Sequence, residues 1–255
     1  MTKNILLTIV CMLTIPSPVL ASDDDISRLF SNAGVEGALL IESVDKRIVY
    51  LHDYSPGDQA YIPASTFKIP NTLIALDEGV IVDQFETIRW DGVKRSYDPW
   101  NGDQTLATAF RHSCVWCYQY LARQIGDDTY KRYLEKFQYG NQKTGEDVIT
   151  FWLDGDLRIS ITQQIEFLRN MVFERLPVKK RSIEILKDIM LIDSVPGYKL
   201  WGKTGWQAPH GWFVGYVESD DKVWFFANYI VVKNKSDLKL RKTLVIESMK
   251  LKGII

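Results

Sequence analysis

Histidine and cysteine are scarce, with three of each in 255 residues. His52, His112 and His210 are scattered without ligand spacing, and a zinc site needs three or four well-placed ligands, so the chain is read as needing no metal. Three familiar signatures are missing as well: the H-E-x-x-H zinc helix, the G-x-S-x-G elbow and the G-x-G-x-x-G fingerprint. With no elbow and so few histidines, a Ser-His-Asp triad is disfavoured. Charge of neither sign dominates, with 31 basic against 32 acidic residues and no basic stripe, which argues against a nucleic-acid footprint. No run reaches the roughly 18 uninterrupted apolar residues that suggest a membrane span.

What is present suits a folded enzyme. Hydrophobic residues make up 46% of the chain and charged ones 25%, as expected of one large domain or two interlocked ones. The eight Trp and twelve Tyr mostly interleave with aliphatic residues in strand-like runs, which favours a core role over a stacking surface. Residues 1–21 read as a secretory signal: Lys3, an apolar stretch from Ile5 to Ile15, and Val19-Leu20-Ala21 before Ser22. Cys11 follows Val10 rather than a small residue, which disfavours a lipid anchor. Cleavage would leave 30 basic against 32 acidic residues. The mature protein is expected to be periplasmic or secreted, with no stable membrane anchor.

Cys114 and Cys117 then remain. A C-x-x-C pair can be buried thiols, a disulfide or a redox couple. An oxidising compartment permits a bridge, but the helical pattern here would be strained by one, so two buried thiols are expected.

Periodicity separates the chain into regions. Val35 to Ile41 and Arg47 to Leu51 form a hairpin pattern. Ala64 to Glu78 reads as a helix with Gly79 beyond its end and Pro70 making its first turn irregular. Arg89 to Thr105 reads as loop, and Leu106 to Gln124 and Asp128 to Phe137 as helices. Ser160 and Gln163 form a capping box ahead of another helix, and Lys179 to Met190 follows the same period. Lys199 to Trp206, Gly211 to Val217 and Val223 to Val232 are strands, and Leu238 to Leu251 closes the chain as a helix. The expected fold is α+β, an α/β sandwich whose central antiparallel sheet comes from both chain ends, plus a helical lobe. Residues 22–60 and 191–255 are assigned to the sheet lobe and 61–190 to the helical lobe, with the active site between them.

The chemical signal is S-x-x-K. Lysine three residues after serine on a helix lies on the same face and can reach the hydroxyl. Serine needs a base to become a nucleophile, and lysine is a base only where burial disfavours its charge. Four such matches occur, and Ser43-Lys46, Ser219-Lys222 and Ser236-Lys239 sit in polar turns or at a charged helix start. Only Ser65-Thr66-Phe67-Lys68 opens an apolar helix. The second signal is Lys203-Thr204-Gly205, inside the strand pattern Leu200 to Trp206. Taken alone that triplet is equally well a solvated lysine and a turn glycine. As part of a site, Gly205 would let a ligand approach the strand backbone.

S-x-x-K followed by K-T-G is the pairing of serine β-lactamases and penicillin-binding proteins. The chain resembles the class D, oxacillinase-type, β-lactamases in Pro63 to Asn71, Ser113-Cys114-Val115-Trp116, Tyr139-Gly140-Asn141, Phe151 to Ser160, Lys203-Thr204-Gly205 and Leu240-Arg241-Lys242. These stretches keep the family order from about Val35 to Ile255, and no motif is missing. The resemblance implies a serine β-lactamase or transpeptidase-like fold and hydrolysis of small-molecule β-lactams; a monomer and a homodimer fit the sequence equally well. Ser65 would be the acylated nucleophile, and Lys68, carboxylated by CO₂ or bicarbonate, the general base for acylation and deacylation. Ser113 would protonate the departing nitrogen, with Lys203 beside it. Val115 would keep the site dry, and Trp152 would donate to the carbamate. The N–H groups of Ser65 and Trp206 would form the oxyanion hole, and Thr204, Gly205, Trp206 and Arg241 would bind substrate. Tyr139 would steady a nearby loop. Without the resemblance, Trp152 reads as a core aromatic and Arg241 as a solvated charge. No organic cofactor is implied.

Two rivals share the nucleophile. One is the antibiotic-sensing domain of a membrane receptor, acylated without turnover. The other is a cell-wall transpeptidase or carboxypeptidase, against which Val115 argues, because those enzymes usually carry Asn there.

Overall fold

The computed structural model describes residues 23–53, 59–220 and 222–255; the signal segment and Cys11 lie outside them. A six-stranded, wholly antiparallel sheet runs in the order β2-β1-β8-β7-β6-β5. Its strands are β1 (Gly37–Ser43), β2 (Val49–His52), β5 (Leu191–Val195), β6 (Tyr198–Gln207), β7 (His210–Ser219) and β8 (Lys222–Val231). Pairing of β1 with β8 joins the two ends of the chain. Two short strands, β3 (Thr87–Ile88) and β4 (Gln104–Thr105), pair separately.

Both faces of this sheet are covered, and the strands show why their sequences are apolar almost throughout. On β7, Trp212, Val214 and Tyr216 face one core while Phe213 and Val217 face the other, as period-two alternation requires. The smaller core is closed by α1 (Asp24–Ala33) and α8 (Leu240–Leu251), which bring Ile26, Phe30, Leu244, Val245 and Met249. The larger is filled by α2 (Lys68–Asp77), α3 (Leu106–Arg111), α4 (Val115–Ile125), α5 (Asp127–Phe137), α6 (Ile161–Val172) and α7 (Lys180–Met190). The expected α+β plan is the one observed.

Three local differences matter. The pattern from Leu106 to Gln124 is two helices, because the chain leaves helical geometry at His112 and turns at Ser113, whose φ is +54°. Helix α1, capped by Asp23 and ended by left-handed Gly34, precedes the first expected strand. Strand β5 was also unexpected; its outward residues Leu191, Ile192 and Val195 are exposed and show no alternation. The capping box at Ser160 and Gln163 is present, and Gly79 takes the left-handed position just beyond α2. Among the described residues no helix is long and apolar enough to cross a membrane.

Candidate active site

Ser65 lies in a single 3-10 turn, Ala64–Phe67, that runs directly into α2. Ala64 is left-handed, with φ +50°, a conformation that a non-glycine residue keeps only where its surroundings impose it. Pro70 is the third residue of α2, within the first turn, where proline is tolerated. The turn is pinned from two sides. Gln164 donates to Thr66 Oγ1 at 2.9 Å, Thr66 Oγ1 donates to the Pro63 carbonyl at 2.8 Å, and the Trp212 indole donates to the Ile62 carbonyl at 2.9 Å.

Lys68 Nζ is 3.3 Å from Ser65 Oγ, and the lysine is fully buried. Burial pushes its ammonium down to about 7, since a low-dielectric surrounding penalises the charged form. The Tyr118 ring centre is 4.8 Å from Nζ, with its hydroxyl on Thr72 Oγ1 at 2.6 Å, and Trp152 stacks at 5.5 Å on Phe67, the residue before Lys68. Trp152 Nε1 is buried and has no hydrogen-bond partner, which is costly unless something accepts from it.

Lys203, on β6, donates to Ser113 Oγ at 2.5 Å and to the Thr204 carbonyl at 3.0 Å. Burial lowers its pKa well below the usual lysine range, and the positive charges of Lys68, Arg241 and Lys242 lower it further. Ser113 thus occupies the break between α3 and α4 and faces the lysine of the K-T-G strand. Val115, the first residue of α4, is partly buried beside it.

Strand β5 pairs with β6 only as far as Trp201, so no strand of the described sheet covers the edge of β6 from Gly202 to Gln207. A cavity of about 280 Å³ opens there, lined by Phe110, Arg111, Lys203, Thr204 and Lys242 among others. Trp206 is 38% exposed at the end of this edge. Arg241 is partly buried, and it reaches back to the strand, donating Nη1 to the Gly205 carbonyl at 2.8 Å and Nε to the Leu238 carbonyl at 2.7 Å. It is therefore not a solvated surface charge.

Sequence and structure neighbours agree on what this arrangement is. The penicillin binding protein transpeptidase domain matches residues 51–250. Beta-lactamase OXA-48 of Klebsiella pneumoniae is 40% identical over 230 residues, covering 89% of this chain and 87% of that protein. Beta-lactamase OXA-10 of Pseudomonas aeruginosa is 36% identical over 236 residues, covering 90% and 89%. The crystal structure of the class D β-lactamase YbXI from Nostoc superposes with a TM-score of 0.89 at 39% identity, covering 90% of this chain and 99% of that one. This chain belongs to the class D β-lactamases. It is a serine β-lactamase by family.

In this β-lactamase a Cβ at Gly205 would lie 2.8 Å from the Pro63 carbonyl oxygen and 3.1 Å from Thr66 N. The missing side chain lets β6 press against the turn that carries Ser65. We expect Gly205→Ala to lower nitrocefin hydrolysis at least ~100-fold by displacing that strand and to depress the melting temperature; near-normal turnover would contradict the packing role. The cysteines were expected as free thiols, but Cys114 and Cys117 are joined as a disulfide. The objection that a bridge would strain a helix does not apply, because Cys114 is the N-cap of α4, at φ −55° and ψ 109°, and only Cys117 is helical.

Some contributors had no visible signal. Gln164 lies 98 residues from its partner Thr66 and reads as an ordinary polar residue on α6. Trp100 and Trp116 brace the Ser113 turn: Trp100 Nε1 donates to the His112 carbonyl and Trp116 Nε1 to the Trp100 carbonyl, each at 3.0 Å. Tyr139 is buried, its ring centre 5.7 Å from that of Phe67 and 5.0 Å from that of Phe167. Among the described residues no group of three or more His, Cys, Asp or Glu could hold a metal.

Proposed function

We propose that this class D β-lactamase hydrolyses β-lactam antibiotics through an acyl ester on Ser65, with carboxylated Lys68 as base in both half-reactions. The observation that carries the reading is Lys68 Nζ, fully buried and 3.3 Å from Ser65 Oγ. A neutral amine adds to CO₂ with loss of one proton, and the resulting N-carboxylate supplies a base of carboxylate type. Three features of the surroundings favour it. Burial makes the amine readily neutral, the unpartnered Trp152 Nε1 is a donor without an acceptor, and exchanging a cation for an anion there relieves Lys203 of a neighbouring like charge.

The remaining roles are those that the family resemblance implies. Ser65 gives its proton to that base and attacks the lactam carbonyl carbon; the N–H groups of Ser65 and Trp206 receive the oxyanion. As the C–N bond opens, Ser113 Oγ passes a proton to the nitrogen, its hydroxyl oriented by Lys203 Nζ. Water, deprotonated from the same side, then cleaves the ester and regenerates Ser65. Thr204 and Arg241 hold the substrate carboxylate, a task suited to a guanidinium, with Gly205 keeping the strand close. Val115 excludes water from Lys68. The sheet lobe of residues 22–60 and 191–255 and the helical lobe of 61–190 meet at this site. Residues 1–21 direct export, and the enzyme works in the periplasm or outside the cell.

The test is steady-state benzylpenicillin hydrolysis across pH, with and without added bicarbonate, in CO₂-depleted buffer. Only neutral Lys68 takes up CO₂, so activity should fall as pH drops through about 7, and bicarbonate should restore it above that point and fail to do so near pH 5. Full activity in depleted buffer would count against the carboxylated base.

A further inference from the structure

We infer that the Cys114–Cys117 disulfide is a positioning element for Ser113, tying the proton-donating hydroxyl to the rigid start of α4. The inference rests on the reading of Ser113 given above and adds to it a covalent partner. Ser113 holds a left-handed φ of +54°, uncommon for a residue with a Cβ and mildly costly to maintain. The turn it occupies is the point where α3 has ended and α4 has not begun, closed on the α3 side by its own N–H donating to the Phe110 carbonyl at 3.1 Å. Its hydroxyl must nevertheless meet Lys203 Nζ from an element that shares no backbone pairing with β6.

The bridge acts next to this residue. Cys114 follows Ser113 directly, and its backbone N–H donates to the Ala109 carbonyl at 2.8 Å. Its sulfur is bonded to that of Cys117, one turn into α4, and also accepts the Cys117 N–H at 3.3 Å. Cys117 belongs to the larger core, where both sulfur-bearing residues are wholly buried. Movement of Ser113 therefore requires movement of Cys114, which the bond and the core oppose. The two indole bonds from Trp100 and Trp116 hold the flanks; the disulfide holds the residue adjoining the hydroxyl. A bridge across so short a loop constrains the unfolded chain less than a long one does, which points to local rather than global stabilisation.

The experiment uses the doubly substituted enzyme Cys114→Ser/Cys117→Ala. Serine is a good N-cap, so the helix start is kept and the covalent tie is lost. Pre-steady-state kinetics with benzylpenicillin separate formation of the Ser65 ester from its hydrolysis. The expected result is acylation slowed about ten- to hundred-fold, deacylation and the dissociation constant of the pre-acylation complex little changed, and a melting temperature within a few degrees of the parent. As a second measurement, wild-type enzyme is refolded with its thiols kept reduced by a phosphine, then reoxidised with glutathione disulfide. Two thiols of the protein are oxidised as the glutathione disulfide is reduced to two glutathiones, intact mass falls by the two hydrogens lost, and acylation should recover. Unchanged acylation without the bridge overturns the inference, as does a rate loss that follows a collapse of melting temperature in both preparations. Ser113→Ala serves as the control: wild-type acylation in that variant would overturn the underlying role of Ser113 rather than the bridge alone.

Discussion

Lys68→Met is expected to reduce benzylpenicillin hydrolysis by about 10³–10⁴-fold, the upper part of what a positioned general base contributes. Methionine preserves the chain length and the apolar packing while removing the only nitrogen within reach of Ser65 Oγ in the described contacts. Both half-reactions lose their base, so the small residual acylation should produce an ester that persists, visible as a stable mass adduct. The same substitution should stabilise the fold. The folded-state pKa of Lys68 lies at about 7 against 10.5 for the free side chain, so between those values the unfolded chain binds the extra proton and wild-type stability rises with pH. Below pH 7 the whole penalty of charging a buried amine is present. The variant should therefore melt higher, by the equivalent of roughly 3–5 kcal/mol, at or below neutrality in CO₂-depleted buffer. That advantage should fade toward pH 10.5. A variant that hydrolyses benzylpenicillin within tenfold of wild type would remove Lys68 from the mechanism.

Trp152→Phe isolates one hydrogen. Phenylalanine retains a ring to stack on Phe67, which Trp152 does at 5.5 Å, and it deletes Nε1, the buried donor with no partner. If that donor serves an anion on Lys68, its loss removes a charge-assisted hydrogen bond of about 1.5–3 kcal/mol, or roughly ten- to hundred-fold in affinity for CO₂. Hydrolysis at ambient CO₂ should fall by a similar factor, and high bicarbonate should restore most of it, since the defect lies in occupancy. A purely structural indole would give a lower melting temperature with bicarbonate-independent kinetics, and that outcome would contradict the assignment.

The parts of the site that were legible in the sequence are those built from local pattern. Ser65 and Lys68 share a helix face, and their helix is apolar, so the buried lysine follows from spacing and composition together. Strand β6 and its Lys203 followed from the apolar run around them. The Ser113 turn did not, because apolar periodicity continues across Leu106 to Gln124 while one residue in a left-handed conformation interrupts the helix. That same error made the disulfide look strained, since it placed Cys114 inside a helix instead of at its cap. Gln164 and Trp212 act on backbone or side chains far away in sequence, and no local signal reports such a contact. Gly205 reads in the sequence as a point of close approach, and in the fold the Ser65 turn is one neighbour that approaches it, with Pro63 O 2.8 Å from where a Cβ would stand.

The central claim is that Ser65 forms an ester which the site then releases, and a time course of intact mass alongside substrate loss tests it most directly. With benzylpenicillin in excess, the account expects a transient adduct of one opened lactam on Ser65, many molecules of substrate consumed per enzyme, and return to the free mass when substrate runs out. An adduct that accumulates to one per protein and stays, with no further loss of substrate, would contradict it and mark the chain as a receptor-like acceptor.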